Sequence, residues 1–206
     1  MRPLPRVHAV TDAAVLALPD FGIRAAAIAS GGASVALHAR DRGAGGAALA
    51  AAASRIAALA RPAEAMVFVA GRPDVAAACG AGGVQLAAGD LAPADARRIA
   101  SGLIGRSVHS ADEALAAADE GADFVIAGSV YATPSHPGRA PAGPSLVTAC
   151  VRAGLPVIAI GGITPERTRE MREAGAWGVA AVSALWHAAD PAATTLLMLA
   201  PWVDAA

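Results

Sequence analysis

A chain of 206 residues with a formal net charge of -1 is long enough to bury the core of one α/β domain, and it carries no global field that would recruit nucleic acid or an anionic membrane. Its 55% hydrophobic content is largely alanine, and the longest Ala-rich run, Ala47–Ala60, holds Arg55 and is followed by Arg61 and Glu64, so it reads as an amphipathic helix and not as a membrane span. All 16 basic residues are arginine, which excludes Schiff-base lysine chemistry and a Walker loop.

The chain opens Met1-Arg-Pro-Leu-Pro-Arg6 and runs straight into an apolar strand, with no signal-peptide hydrophobic region, so a cytoplasmic protein is expected. Eight strand-like runs follow in order: Val7–Val10, Val35–Arg40, Met66–Gly71, Gly83–Leu86, Ile104–Val108, Phe124–Tyr131, Val157–Gly161 and Val179–Val182. Helix-start signals stand between them. Ser110-Ala-Asp-Glu113 is a capping box, while Asp90-Leu-Ala-Pro93 and Thr164-Pro-Glu-Arg167 place proline early in a helix. Each helix is expected to end near a glycine: Gly80, Gly102, Gly121, Gly154 and Gly175. Eight alternations without a G-x-G-x-x-G after the first strand predict a single (β/α)8 TIM barrel spanning residues 1–206, not an open dinucleotide-binding sheet. Cys79 and Cys150 read as buried thiols.

In such a barrel, chemistry belongs at the C-terminal ends of the strands. Gly161-Gly162 after strand seven and Val182-Ser183 after strand eight predict a phosphate site, because glycine allows close backbone approach and amides at a helix start point at an anion. Strand two ends His38-Ala-Arg-Asp-Arg42, with His38, Arg40 and Arg42 on one side. A guanidinium in the barrel mouth suits a carboxylate or phosphate, unless Arg40 is spent on Asp12 or Asp90. Strand four supplies Gln85 to a ligand or a polar neighbour. Strand five supplies Ser107 and His109, with His109 open to either a structural hydrogen bond or catalysis. A long proline-rich loop after strand six carries Ser129, Ser135, His136 and Arg139, and His136 could close over a ligand as acid or base. His8 and His187 read as structural or peripheral. The carboxylates Asp12, Asp74 and Asp90 are scattered and form no metal-ligand pattern.

His8-Ala-Val-Thr-Asp12, His38-Ala-Arg-Asp-Arg42, Gly71-Arg72, Val84-Gln-Leu86, Gly105-Arg-Ser-Val-His-Ser110, Gly121-Ala-Asp123, Ile158-Ala-Ile-Gly-Gly-Ile-Thr-Pro165 and Gly178-Val-Ala-Ala-Val-Ser183 together resemble the thiamine phosphate synthase/TenI superfamily over nearly the whole chain. The resemblance implies thiazole phosphate as a ligand, seated on Gly161, Gly162, Val182 and Ser183. The synthase pattern has an Asn-Asp pair after strand three, an aspartate after strand four and a lysine in the loop after strand six, the carboxylates holding Mg2+ and pyrophosphate. Here those positions hold Ala70-Gly71, Asp90 and His136.

That pattern is similar to the TenI branch, and the expectation is a thiazole tautomerase without metal or other cofactor. The branch's acid/base histidine falls on Ser129, so His38, His109 or His136 would move the proton, with Arg40, Gln85 and Ser107 against the heterocycle. Two alternatives stand beside it: thiamine phosphate synthase, which would need Mg2+ at Asp90, and a non-catalytic sensor of a phosphorylated ligand. Nucleic acid and membrane are not expected as partners. Association of copies of the chain is left open.

Overall fold

The structure, a computed structural model, describes residues 3–133 and 140–203. Eight parallel strands close a barrel in sequence order: β1 Val7–Val10, β2 Val35–Ala39, β3 Met66–Ala70, β4 Gly83–Leu86, β5 Leu103–Val108, β6 Phe124–Ala127, β7 Val157–Ile160 and β8 Gly178–Ala181. The helices around it are α1 Ala13–Leu16, α2 Phe21–Ala29, α3 Gly46–Ala60, α4 Pro73–Cys79, α5 Pro93–Arg97, α6 Ala111–Asp119, α7 Pro144–Val151, α8 Thr168–Glu173, α9 Ser183–Trp186 and α10 Pro191–Val203. The expected (β/α)8 architecture is what forms. Among the described residues no helix is long and apolar enough to cross a membrane.

Local signals act as their chemistry requires. Ser110 caps α6 by accepting the Glu113 amide, while the Glu113 carboxylate reaches back to the His109 amide at 2.7 Å. Gly80, Gly102, Gly121, Gly154 and Gly175 all have positive φ and release the chain from a helix toward the next strand. Two expectations need correction. The sixth strand ends at Ala127, short of the expected Tyr131, because the ladder to β7 slips by one residue beyond it: in the register that pairs Ala127 with Ala159 the Ser129 amide would meet the Ile160 carbonyl, but the Val130 amide takes that place. Cys79 is only partly buried, against α3, while Cys150 is fully buried and its thiol is pushed up to about 11 by burial.

Strand alternation divides the core in two. Outward residues such as Val7, Leu37, Val69, Val84, Ile104 and Val125 pack under the helices. Inward residues Val10, Ala36, Phe68, Leu103, Phe124, Ile126, Ile158 and Ala180 fill the barrel. Gly83 and Gly105 make room for the two interior rings: a Cβ at Gly83 would stand 2.5 Å from Phe68, and one at Gly105 would stand 2.3 Å from Phe124. Phe68 and Phe124 meet edge to face at 5.4 Å, forming a packed floor below the mouth of the barrel.

Candidate active site

The C-terminal mouth opens into a cavity of about 470 Å³ lined by strand ends from both sides of the barrel. On the β7–β8 side lie Gly161, Gly162, Val182 and Ser183, all four of the predicted phosphate residues, joined by Ile163, Thr164 and Ala184. Among the described residues, the amides of Gly162, Ser183 and Ala184 donate to no backbone acceptor, which leaves a cup of free N–H groups. The glycines are also required by packing. Gly161 has φ 102° with a virtual Cβ 2.7 Å from Ser129, and Gly162 has φ 62° with one 2.6 Å from the Ala132 carbonyl.

A second layer holds this turn. The Tyr131 and Val130 amides donate to Gly161 and Ile160, each at 2.9 Å. Arg167 donates to the Gly162 carbonyl and stacks its guanidinium 4.2 Å from the Tyr131 ring, while the Tyr131 hydroxyl donates to Glu170. Burial and the neighbouring Glu170 carboxylate raise the Tyr131 phenol to about 12, so it remains the donor. With the Gly162 carbonyl bound from outside, its peptide plane is fixed.

The facing wall is made by His38 on β2, Arg40 and Arg42 after it, Gln85 on β4 and Ser107 and His109 at the end of β5. Thr11 pins the end of β2: its hydroxyl lies 2.9 Å from the His38 carbonyl and 3.0 Å from that of Arg40, and it accepts the Arg40 amide at 2.9 Å. Arg40 is half-buried. Burial and then Arg42 lower its pKa, while Asp12 and Asp41 raise it, which leaves a charged guanidinium at neutral pH in the field of acids that do not bind it directly. The expected alternative pairing of Arg40 with Asp90 does not occur. Gln85 donates to Ser107 Oγ at 3.0 Å and leaves its Oε1 buried without a partner. His109 Nδ1 donates to the Gly128 carbonyl, the structural bond that is one of its two expected roles. Ser129 borders the cavity; His136 lies outside the described residues.

His8, expected to be structural or peripheral, makes a buried contact with the cavity residue His38. It lies inside the barrel with Nδ1 2.8 Å from His38 Nε2 and Nε2 3.1 Å from the Pro5 carbonyl. Strand parity gives half of the signal, since His8 faces inward with Val10 as His38 does with Ala36, but it does not bring the two rings to the same level of the barrel. Thr11 was also overlooked, although it stands one residue beyond the first strand.

The residues that would serve Mg2+ do not fit it. Ala70 and Gly71 offer no oxygen side chain, and Asp90 spends Oδ2 on the Ala87 amide at 2.7 Å while packing against Gly71. Among the described residues no group of three or more His, Cys, Asp or Glu side chains gathers where an ion could be held.

A (β/α)8 barrel with backbone amides after β7 and β8 facing an arginine-bearing wall has the form in which barrels of this class commonly carry a phosphate site. The chain belongs to the thiamine monophosphate synthase family, whose model matches residues 7–185. It is 43% identical over 139 residues to a thiamine-phosphate synthase of Thermus thermophilus, covering 66% of this chain and 68% of that one. A thiamine-phosphate synthase of Methanoregula boonei is 38% identical over 185 residues, covering 87% and 84%. The solved thiamine phosphate pyrophosphorylase from Pyrococcus furiosus superposes with a TM-score of 0.82 at 30% identity, over 97% of this chain and 96% of that one.

These relatives overturn the tautomerase expectation. The likeness to the TenI branch rests on what the synthase pattern lacks here, its Asn-Asp pair at Ala70-Gly71 and its lysine at His136, whereas the similarity along the chain runs to proteins named as synthases.

Proposed function

We propose that the chain is a thiamine-phosphate-synthase-type enzyme that joins a thiazole phosphate to a pyrimidine diphosphate with release of pyrophosphate. The observation that carries this reading is one continuous cavity with an amide cup at one end and Arg40 at the other, in a chain 43% identical to a named synthase. The cup takes the thiazole phosphate on the Gly162, Ser183 and Ala184 amides, with the Ser183 hydroxyl as a further donor. The second heterocycle lies against His38, Gln85 and Ser107. As the diphosphate leaves, negative charge grows on the departing oxygen, and the Arg40 guanidinium meets it from a wall that excludes much of the solvent.

Because the described residues do not form a Mg2+ site, no step is assigned to the metal. Supplying both substrates and following thiamine phosphate and pyrophosphate, with Mg2+ present and then chelated, tests the reading. Product in equal amounts with pyrophosphate is expected. No product under either condition, at saturating enzyme and substrates, sinks it. The absent Asn-Asp pair favours one second reading, a binder of phosphorylated ligands without turnover, which predicts saturable thiazole-phosphate binding and no product.

A further inference from the structure

Below the cavity floor, two histidines are threaded on a single line of hydrogen bonds. The line starts at the Pro5 carbonyl, which can only accept, so His8 Nε2 carries the proton of that contact. A neutral His8 then has a bare Nδ1. At 2.8 Å the atom facing it, His38 Nε2, has to donate. A neutral His38 with its proton on Nε2 has its lone pair on Nδ1. That atom has no protein partner among the described residues, and it is absent from the set of fully buried unpartnered atoms, Gln85 Oε1 and Trp186 Nε1. Since His38 borders the cavity, Nδ1 meets it there.

We infer that His8 is a positioning residue: it fixes His38 as the Nε2–H tautomer, so that His38 Nδ1 serves the cavity as an acceptor for an N–H or O–H group of the bound heterocycle. The surroundings keep the arrangement single. Phe68 stacks on the His38 ring at 4.9 Å, and His8 lies 5.7 Å from Phe68 and 5.9 Å from Phe124, so neither ring is free to turn over. The charged and titratable groups that act on His38 are His8 and Arg40, both of which oppose its protonation, and burial opposes it further. Burial likewise holds His8 at about 4. A ring forced to accept rejects a ligand that presents a lone pair at the same spot, so His8 acts on selectivity without touching the ligand. The tautomer assignment is independent of the synthase reading, which supplies only the identity of the heterocycle.

Nitrogen-15 histidine spectra of the ligand-free protein at neutral pH test this directly. Both rings should be neutral with the proton on Nε2. His8→Leu removes the acceptor, and His38 should shift to a mixture of tautomers. His8→Gln, whose amide can donate to Pro5 and accept from His38, should restore the single form. In the synthase assay, His8→Leu should lower kcat/KM about tenfold, the size of one lost hydrogen bond, with recovery in His8→Gln. A wild-type His38 that is protonated, or carries its proton on Nδ1, overturns the inference even if His8→Leu fails to fold. So does a His38 tautomer unmoved by His8→Leu. A wild type without synthase activity refutes the proposed reaction alone, because the spectra still decide the tautomer.

Discussion

The β7–β8 side of the cavity presents backbone amides, whereas the β2–β4 side presents side chains. Gly161, Gly162 and the start of α9 present amides whose placement follows from positive φ and from the Tyr131, Arg167 and Glu170 layer behind them. Opposite, Arg40, Gln85 and His38 are single side chains at strand ends, and the positions that bear the synthase pattern's Asn-Asp pair are Ala70 and Gly71. Backbone geometry is tied to fold, so any change that spoils the cup also strains the barrel. A side-chain wall can be rewritten one residue at a time while every strand stays in register.

The largest expected effect tests the first half of that contrast. Gly162→Val should cost about 3 kcal/mol or more of stability, combining a β-branched residue in the left-handed region with overpacking against the Ala132 carbonyl and Tyr131. Thiazole-phosphate affinity should be lost with it. Chemical denaturation and calorimetric titration check both. A Gly162→Val protein of wild-type stability would break the claim that the cup and the fold are one structure.

A smaller effect, specific to the other side, comes from the histidines. Burial holds His8 at about 4 against its ordinary 6.5, so the folded state keeps it neutral while the unfolded chain takes up a proton below pH 6.5. Stability is therefore complete above that value and declines as pH falls from 6.5 toward 4. Between about pH 8 and pH 5 the loss attributable to His8 is about 2 kcal/mol. Denaturation curves of the wild type should show this loss, and His8→Leu, less stable at neutral pH for want of an acceptor at His38, should show a shallower decline. Equal slopes would mean that acid sensitivity arises elsewhere than beneath the β1–β2 wall.

How much of this was legible in the chain follows from the same division. The barrel and its glycine helix stops could be read because periodicity and capping are local signals that leave marks at fixed spacings, and the Gly161-Gly162 turn at the cavity edge is a mark of the same kind. The His8–His38 contact could not, since it joins residues 30 apart through a barrel interior whose stagger the alternation of one strand does not reveal. The alternative of Arg40 paired with Asp90 fails for a similar reason: Asp90 turns back to cap its own loop at Ala87, a three-residue bond that looks like any loop acid in the sequence. The tautomerase expectation put the missing Asn-Asp pair of the side-chain wall, at Ala70-Gly71, and the missing lysine at His136 ahead of similarity spread along the chain. Such a wall is where substitutions leave the fold unmarked.

If the side-chain wall is independent of the backbone cup, its missing half can be rebuilt. In the double variant Ala70→Asn, Gly71→Asp, two oxygen-bearing side chains would stand beside Asp90, whose carboxylate already lies 3.2 Å from where a Cβ at position 71 would be. The φ of +71° at Gly71 is a conformation that aspartate tolerates better than most residues, so the expected cost is modest, about 1 kcal/mol. Bringing carboxylates this close also raises their mutual repulsion, which a divalent cation relieves. The variant should therefore gain thermal stability on addition of Mg2+ where the wild type gains none, and its thiazole-phosphate affinity should stay within about twofold of wild type, because the cup donates from backbone on the far side of the cavity. A variant that shows no Mg2+-dependent shift would place the obstacle in the turn itself, with Asp90 held by the Ala87 amide too firmly to be recruited. A variant that loses thiazole-phosphate binding while remaining folded would show the two walls to be coupled through the barrel floor.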